Sequence, residues 1–259
     1  KSCDFCLRWK IEGRNEKLNE LELIRNDLMN IKEPTIMFFD NDFFASEEKL
    51  NAFIDLVKEL GLKKNYIVYG SVKGIIEYKE QIKLLKELGL KAVLVGYESF
   101  SDEELSNYHK KSTTNNNFQA AAILNELGID AWASFIAHPD WAVNDFRSLR
   151  KYIKSLRPEI SSISPLTPFP SLPMYGKYRS RLLYNIEDYE KWSFGQVMIK
   201  PSKITLRRYY YELLKTNLYV NLFINSKTEM INTYGVKNIF RLLKGSINAL
   251  NKYIKLMFE

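Results

Sequence analysis

The stretch Ala92-Val93-Leu94-Val95-Gly96-Tyr97-Glu98-Ser99 decides how the rest of the chain is read. An unbroken apolar run of this length suits a strand buried on both faces of a parallel sheet. It ends in a glycine and a set of polar side chains, as a strand does on reaching a loop. Directly after it, Ser101-Asp102-Glu103-Glu104 has the capping-box pattern that opens a helix. Directly before it, helical spacing from about Glu77 to Leu88 closes at Gly89. The unit is therefore helix, buried strand, polar turn, helix.

The same unit recurs in both directions. Upstream, Leu18 to Asn30 has helical spacing, and Pro34 stops it before the strand Thr35-Ile36-Met37-Phe38-Phe39. Ser46, with Glu47 and Glu48 in the first turn, caps a helix running to Leu60 before Gly61, and Tyr66 to Tyr69 is the next strand. Downstream come a helix from Phe118 to Leu127 closed by Gly128, a strand from Ala131 to Ile136, a helix over about Val143 to Leu156, and a strand from Ile160 to Ile163. Five strands alternating with helices predict an α/β fold, a parallel sheet with covering helices that suits a partial or complete (β/α) barrel. In such folds ligands sit at the carboxyl ends of the strands. Those ends read Asp40-Asn41-Asp42, Gly70-Ser71, Gly96-Tyr97-Glu98-Ser99, Ala137-His138-Pro139-Asp140 and Ser164-Pro165-Leu166-Thr167-Pro168. Loops are polar anyway, so one such end means little; five together mark a site.

At 259 residues the chain can bury a sizeable core, and 46% hydrophobic with 27% charged residues describe a globular protein. No run approaches the roughly 20 apolar residues of a membrane-spanning helix. Two cysteines argue against a disulfide-stapled secreted domain and point to the cytoplasm. The net charge of +7 admits an anionic partner or, more plainly, a lysine-rich solvated surface.

Both cysteines lie in Cys3-Asp4-Phe5-Cys6. Soft sulfur ligands at this spacing suit zinc or an iron–sulfur cluster, a redox-active disulfide uses the same spacing, and chance produces it as well. The pair alone does not choose between them.

The order of elements after the pair does. The cysteine loop and the strand ends, over about residues 1–175, resemble the radical S-adenosylmethionine (SAM) superfamily, which implies a partial (β/α)6-type parallel barrel lacking its first strand. The family motif is CxxxCxxC with an aromatic residue before the third cysteine, and Cys3, Phe5 and Cys6 fit its second half. The first cysteine and the strand before it would lie upstream of Lys1, so the chain is expected to be a fragment of a longer protein. Phe38 to Phe43, with Asp40, Asn41 and Asp42, is similar to the segment that receives the SAM amino group, and Ser71 closes the next strand end. Val95 to Ser99 resembles the turn whose polar side chains, here Glu98 and Ser99, meet the SAM ribose or methionine end. Lys110, followed by Thr113, resembles a lysine whose role varies among relatives, and Ser134 to Pro139, with Ser134 and Ile136, corresponds to the adenine-lining strand. Pro165 opens a run to Tyr175 similar to the "LTPxPGTPL" segment of the branch that includes cobalamin-dependent members, with Ser171-Leu172 in place of Gly-Thr.

The resemblance implies a 4Fe-4S cluster on Cys3, Cys6 and a third thiolate, SAM bound to its open iron, and reductive cleavage of SAM to methionine and a 5′-deoxyadenosyl radical. It places Phe5 near the adenine. It implies a small-molecule or lipid-like substrate, an electron donor such as flavodoxin or ferredoxin, and in the cobalamin-associated branch an upstream cobalamin domain and methyl transfer. Other readings of single residues stay open: Asp40 and Asp42 can cap the helix near Ser46 or pair on Mg²⁺, His109 can be solvated, and His138 can be structural.

Beyond Tyr175 the resemblance thins to Asp188–Trp192 and Gln196–Pro201, similar to a tail in the cobalamin-associated branch. Residues 176–259 are expected to form a mainly helical extension, with helices over Leu206 to Leu222 and about Val236 to Met257, covering the barrel mouth or docking a second domain. Its interleaved basic and aromatic residues carry no nucleic-acid motif. Two rival functions are a barrel that keeps the scaffold without catalysis, and a zinc- or nucleic-acid-binding module.

Overall fold

The computed structural model describes residues 3–11, 13, 21–224, 244–245, 247–248 and 251–258. In chain order the elements are α1 (Arg8–Ile11), α2 (Leu21–Asn30), β1 (Thr35–Met37), α3 (Glu47–Leu60), β2 (Asn65–Gly70), α4 (Val72–Glu77), α5 (Lys79–Glu87) and β3 (Leu90–Glu98). They continue with α6 (Asp102–Asn107), α7 (Thr114–Glu126), β4 (Asp130–Ala137), α8 (Val143–Leu156), β5 (Ile160–Pro165), α9 (Pro173–Tyr178) and α10 (Leu206–Tyr219). All strand pairs are parallel, and the spatial order β1-β2-β3-β4-β5 equals the chain order. Every crossover therefore steps the same way. With right-handed connections this puts the helices on one side of the sheet, which curls around its bare side into a half-barrel.

The register separates the two faces. Val93, Val95 and Tyr97 on β3, Ala131, Ala133 and Phe135 on β4, and Ile163 on β5 share the convex face and are buried with helix residues such as Ile82, Leu124, Phe146 and Ile153. Met37, Tyr69, Leu94, Gly96 and Trp132 share the concave face and are only half-buried, while Ser134 and Ser162 on that face are exposed. Ile67, Ala92 and Ile136 on the same face are buried, so the strands are buried on both faces except around Leu94, Gly96, Trp132, Ser134 and Ser162, where the inside of the curl carries no helix.

Local chemistry explains most element ends. Ser46 accepts from Lys49 N at 3.4 Å, and Gly61 ends α3 at φ 60°, the left-handed conformation glycine tolerates. The helix expected from about Glu77 to Leu88 is α5, and a further helix not expected from the sequence, α4, precedes it, the two meeting at Tyr78. Helix α4 starts at once after β2: Ser71 caps it, accepting from Gly74 N at 3.1 Å, and a Cβ on Gly74 would lie 2.5 Å from Phe44 O. The glycine that weakens the helical pattern is what lets α4 pack there.

At the far edge of the sheet, α10 takes the place of a sixth strand. Asn217 on α10 and Asn221, one turn on in the π-helical continuation Val220–Ile224, each give and take a hydrogen bond with β5: Asn217 with Ile163 N (3.2 Å) and O (3.0 Å), Asn221 with Ser161 N (3.3 Å) and O (2.9 Å). Side-chain amides thereby satisfy a strand edge that would otherwise invite another strand. Below them Glu212, fully buried, pairs with Arg208 at 2.7 Å and Arg150 at 3.7 Å, tying α10 to α8. The described part of the extension therefore seals the β5 edge. Half of the helix expected over Val236 to Met257 lies outside the described residues; among those described in it, 244–245, 247–248 and 251–256 are helical.

Candidate functional site

The cysteine loop is docked on the sheet by three consecutive residues after α6. Tyr108 O accepts from Asp4 N at 3.1 Å, and the Tyr108 ring meets Phe5 edge-on at 5.5 Å. His109, at φ 50°, places Nδ1 2.9 Å from Asp4 Oδ2 while remaining mostly exposed. Lys110 Nζ lies 6.0 Å from the Phe5 ring. The loop turns tightly on itself, Cys6 N donating to Cys3 O at 3.1 Å and Trp9 Nε1 donating to the same oxygen at 3.0 Å. Both thiols are free and half-buried. Burial pushes the Cys3 thiol up, and the Lys110 charge pulls it back toward ionisation.

Under the loop, at the carboxyl end of β3, Lys110 Nζ donates to Glu98 Oε1 at 2.8 Å, and both side chains are largely buried. Burial is the largest influence on Lys110 and lowers its pKa; the Glu98 carboxylate and the two thiols together more than reverse it. Gly96 makes room for this pair, since a Cβ there would sit 2.2 Å from Glu98 Oε1 and 3.1 Å from Lys110 Nζ. The left-handed residue of the turn is Glu98 itself, at φ 65°, and not Gly96. The glycine is needed for space, and the strain falls on the glutamate.

The other expected site residues divide. Asp42 Oδ1 accepts from Ser71 N at 2.9 Å, joining the ends of β1 and β2. Asp40 pairs with Lys49, Asn41 is exposed, and Ser46 rather than either aspartate caps α3. Ser134 is exposed on the concave face beside Gly96, whereas Ile136 and Pro165 are buried near the ends of β4 and β5. Ser99 departs from its expected place. It is fully buried, donates to Glu104, and accepts from Ser101 N at 3.1 Å, so its hydroxyl braces the turn and does not face a ligand.

Sequence reasoning missed the wall beside the loop. Tyr108, Ile136, Leu166, Met174, Tyr178 and Ile199 form a small second core against which Phe5 packs. His138 is part of it: Nδ1 accepts from Asp140 N at 3.1 Å and Nε2 meets the Tyr178 hydroxyl at 3.0 Å. Burial drives the His138 pKa down to about 4, so the ring is neutral with its proton on Nε2, a structural histidine. Asp140 is held ionised by Arg181 at 2.6 Å and by Ser202. These partners come from 40 or more residues downstream, and no local pattern announces them.

Among the described residues, no three His, Cys, Asp or Glu side chains gather as a metal site, and no helix is long and apolar enough to cross a membrane. The chain is 30% identical over 214 residues to the hopanoid C-3 methylase of Methylococcus capsulatus, an alignment spanning 83% of this chain and 41% of that protein. It is 22% identical over 258 residues to the bacteriochlorophyllide d C-8(2)-methyltransferase of Chlorobaculum tepidum, spanning 93% of this chain and 56% of the relative. The fold superposes with a TM-score of 0.58 and 17% identity on the radical SAM methyltransferase TsrM from Kitasatospora setae, solved with cobalamin and a 4Fe-4S cluster, over 69% of this chain and 37% of that one. The family model described as the Radical SAM superfamily matches residues 1–153, the stretch that carries the cysteine loop, the first four strands and the Glu98–Lys110 pair, and the chain belongs to that superfamily.

Proposed function

We propose that this chain is the SAM-cleaving core of a methyl-transferring enzyme, with Cys3 and Cys6 as two of the thiolate ligands of a 4Fe-4S cluster. The observation that carries the reading is the docking of two free thiols over the carboxyl end of β3, beside a buried Lys110–Glu98 pair and above an open concave face. The donor chemistry fits. Two soft sulfur ligands in one tight turn suit iron, and the aromatic and aliphatic wall around Phe5 keeps water from them. A third thiolate is not among these 259 residues, which hold two cysteines.

When bound, the cluster supplies the electron that breaks the sulfonium carbon–sulfur bond of SAM. The chain's own residues position what is cleaved. The strand-end acceptors from Asp40 to Asp42 suit an ammonium, Asp42 being already fixed by Ser71 N. Glu98 has a carboxylate oxygen for a ribose hydroxyl while Lys110 holds the other. Ser134 on the concave face, with Ile136 behind it, suits the adenine. Residues 1–175 act as the core, and 176–259 as the extension that closes its β5 edge.

The named relatives act on a hopanoid and a bacteriochlorophyllide, so the substrate class we take is a lipid-like small molecule. Cobalamin bound by a further domain would carry the methyl group, and a flavodoxin or ferredoxin in the cytoplasm would deliver electrons. The test is anaerobic reconstitution of the full-length protein with iron and sulfide, followed by quantification of iron, methionine and 5′-deoxyadenosine with a reductant and SAM. Roughly four irons per chain, and SAM cleavage abolished by Cys6→Ala, is the expected result. A colourless protein that binds zinc or nothing and leaves SAM intact would replace this reading with a zinc site or a non-catalytic barrel.

A further inference from the structure

Lys110 stands out among the cations of the described residues because of what has been arranged around it. Its ammonium is bonded to Glu98, lies against the Phe5 ring between the two cysteines, and acts electrostatically on both thiols. The ammonium end of the pair is the one that lies against the loop, 6.0 Å from the Phe5 ring, so the pair turns its positive end toward the cysteines. Three features hold it there: the missing Cβ of Gly96, the left-handed backbone of Glu98, and the bond from Lys110 N to Leu105 O at 2.9 Å.

Such an arrangement is a poor way to stabilise a fold. A buried ion pair gains little over an apolar pair of the same volume, because desolvation offsets most of the attraction. A left-handed non-glycine residue such as Glu98 adds backbone strain to that. An arrangement that is costly in this way, placed under a metal-competent loop, has its use in the field it creates there.

We propose that Lys110 is a positioning residue whose fixed positive charge holds the cysteine loop in place and makes the cluster bound there easier to reduce. The inference rests on the cluster reading of Cys3 and Cys6. Reduction adds negative charge to the cluster, and a cation in a poorly solvated position nearby stabilises the reduced form with little screening. Glu98 then has two tasks, keeping Lys110 charged and limiting how far the potential rises.

The experiment is a redox titration of the reconstituted full-length protein without SAM, followed by electron paramagnetic resonance, with iron counted in every sample. The variants are Lys110→Met, Lys110→Arg, Glu98→Gln and the double variant Glu98→Gln/Lys110→Met. The expected order of midpoint potentials is Glu98→Gln above wild type and Lys110→Met below it, with Lys110→Arg close to wild type. If Lys110→Met fails to fold because Glu98 is left buried and alone, the double variant takes its place; it too is expected below wild type, since it removes the ammonium that lies against the loop. Equal potentials at equal iron content in wild type and the variant lacking the lysine would overturn the inference and leave the cluster reading intact. A wild-type protein that takes up no iron would overturn the cluster reading, and this inference with it.

Discussion

The two faces of the sheet are made by the same strands and serve opposite ends. On β4 the residues alternate between them: Ala131, Ala133 and Phe135 are buried under helices, whereas Trp132 is half-buried and Ser134 exposed toward the inside of the curl. The convex face is packed like any core and resists change. The concave face and its mouth keep polar groups, a strained Glu98 and an ion pair that contribute little to stability. Local rules are broken at the mouth and kept on the convex face, the pattern expected where residues serve a site rather than the fold.

Substitutions should separate the faces. On the convex side, Phe135→Ala should lose about 3–5 kcal/mol in chemical denaturation, whereas Leu94→Ala on the concave side of the neighbouring strand should lose about 1–2 kcal/mol. Comparable losses would mean that the concave face is packed after all.

The wall beside the cysteine loop predicts an acid sensitivity. His138 has a folded pKa of about 4 against the ordinary 6.5, because burial disfavours its charge. The unfolded chain therefore takes up a proton first as the pH falls. Stability present above pH 6.5 drains away between 6.5 and 4, by up to about 3 kcal/mol. His138→Gln should flatten that part of the stability–pH curve; an unchanged slope would show that the ring is solvated.

Gly96→Ala should cost about 1–3 kcal/mol, since the new methyl must displace the Glu98 carboxylate. Its larger consequence should be weaker SAM binding, measured by calorimetry on reconstituted protein. The smallest effect is expected on the open face itself. Ser134→Ala and Ser162→Ala should each leave stability within about 0.5 kcal/mol of wild type, and a greater loss would place a structural partner where the structure has solvent.

The convex half was legible in the sequence and the mouth much less so. Apolar runs, Ser46 and Ser101 as caps, and Gly61 as a stop are local signals, and the structure uses each of them. Even so, the capping box at Ser101 is half made: Ser101 accepts from Glu104 N, but the Glu104 side chain goes to Ser99 and Trp141 instead. The left-handed conformation of Glu98 and the space left by Gly96 go with an ion pair to Lys110, twelve residues on and beyond the next helix, which the turn's own sequence does not announce. Asp40 and Lys49 are nine apart, and His138 and Tyr178 forty apart, so their pairing is a product of the fold. The partner of Ser99 is equally hidden in the sequence: the half-buried Glu104 accepts from its hydroxyl.

The most direct test of the division between the faces is hydrogen exchange on the reconstituted protein with and without SAM. The account predicts new protection at the strand ends over 38–43, 96–98 and 134–138, with α3, α5 and α8 unchanged. Protection confined to those helices, or none anywhere on addition of SAM, would contradict it.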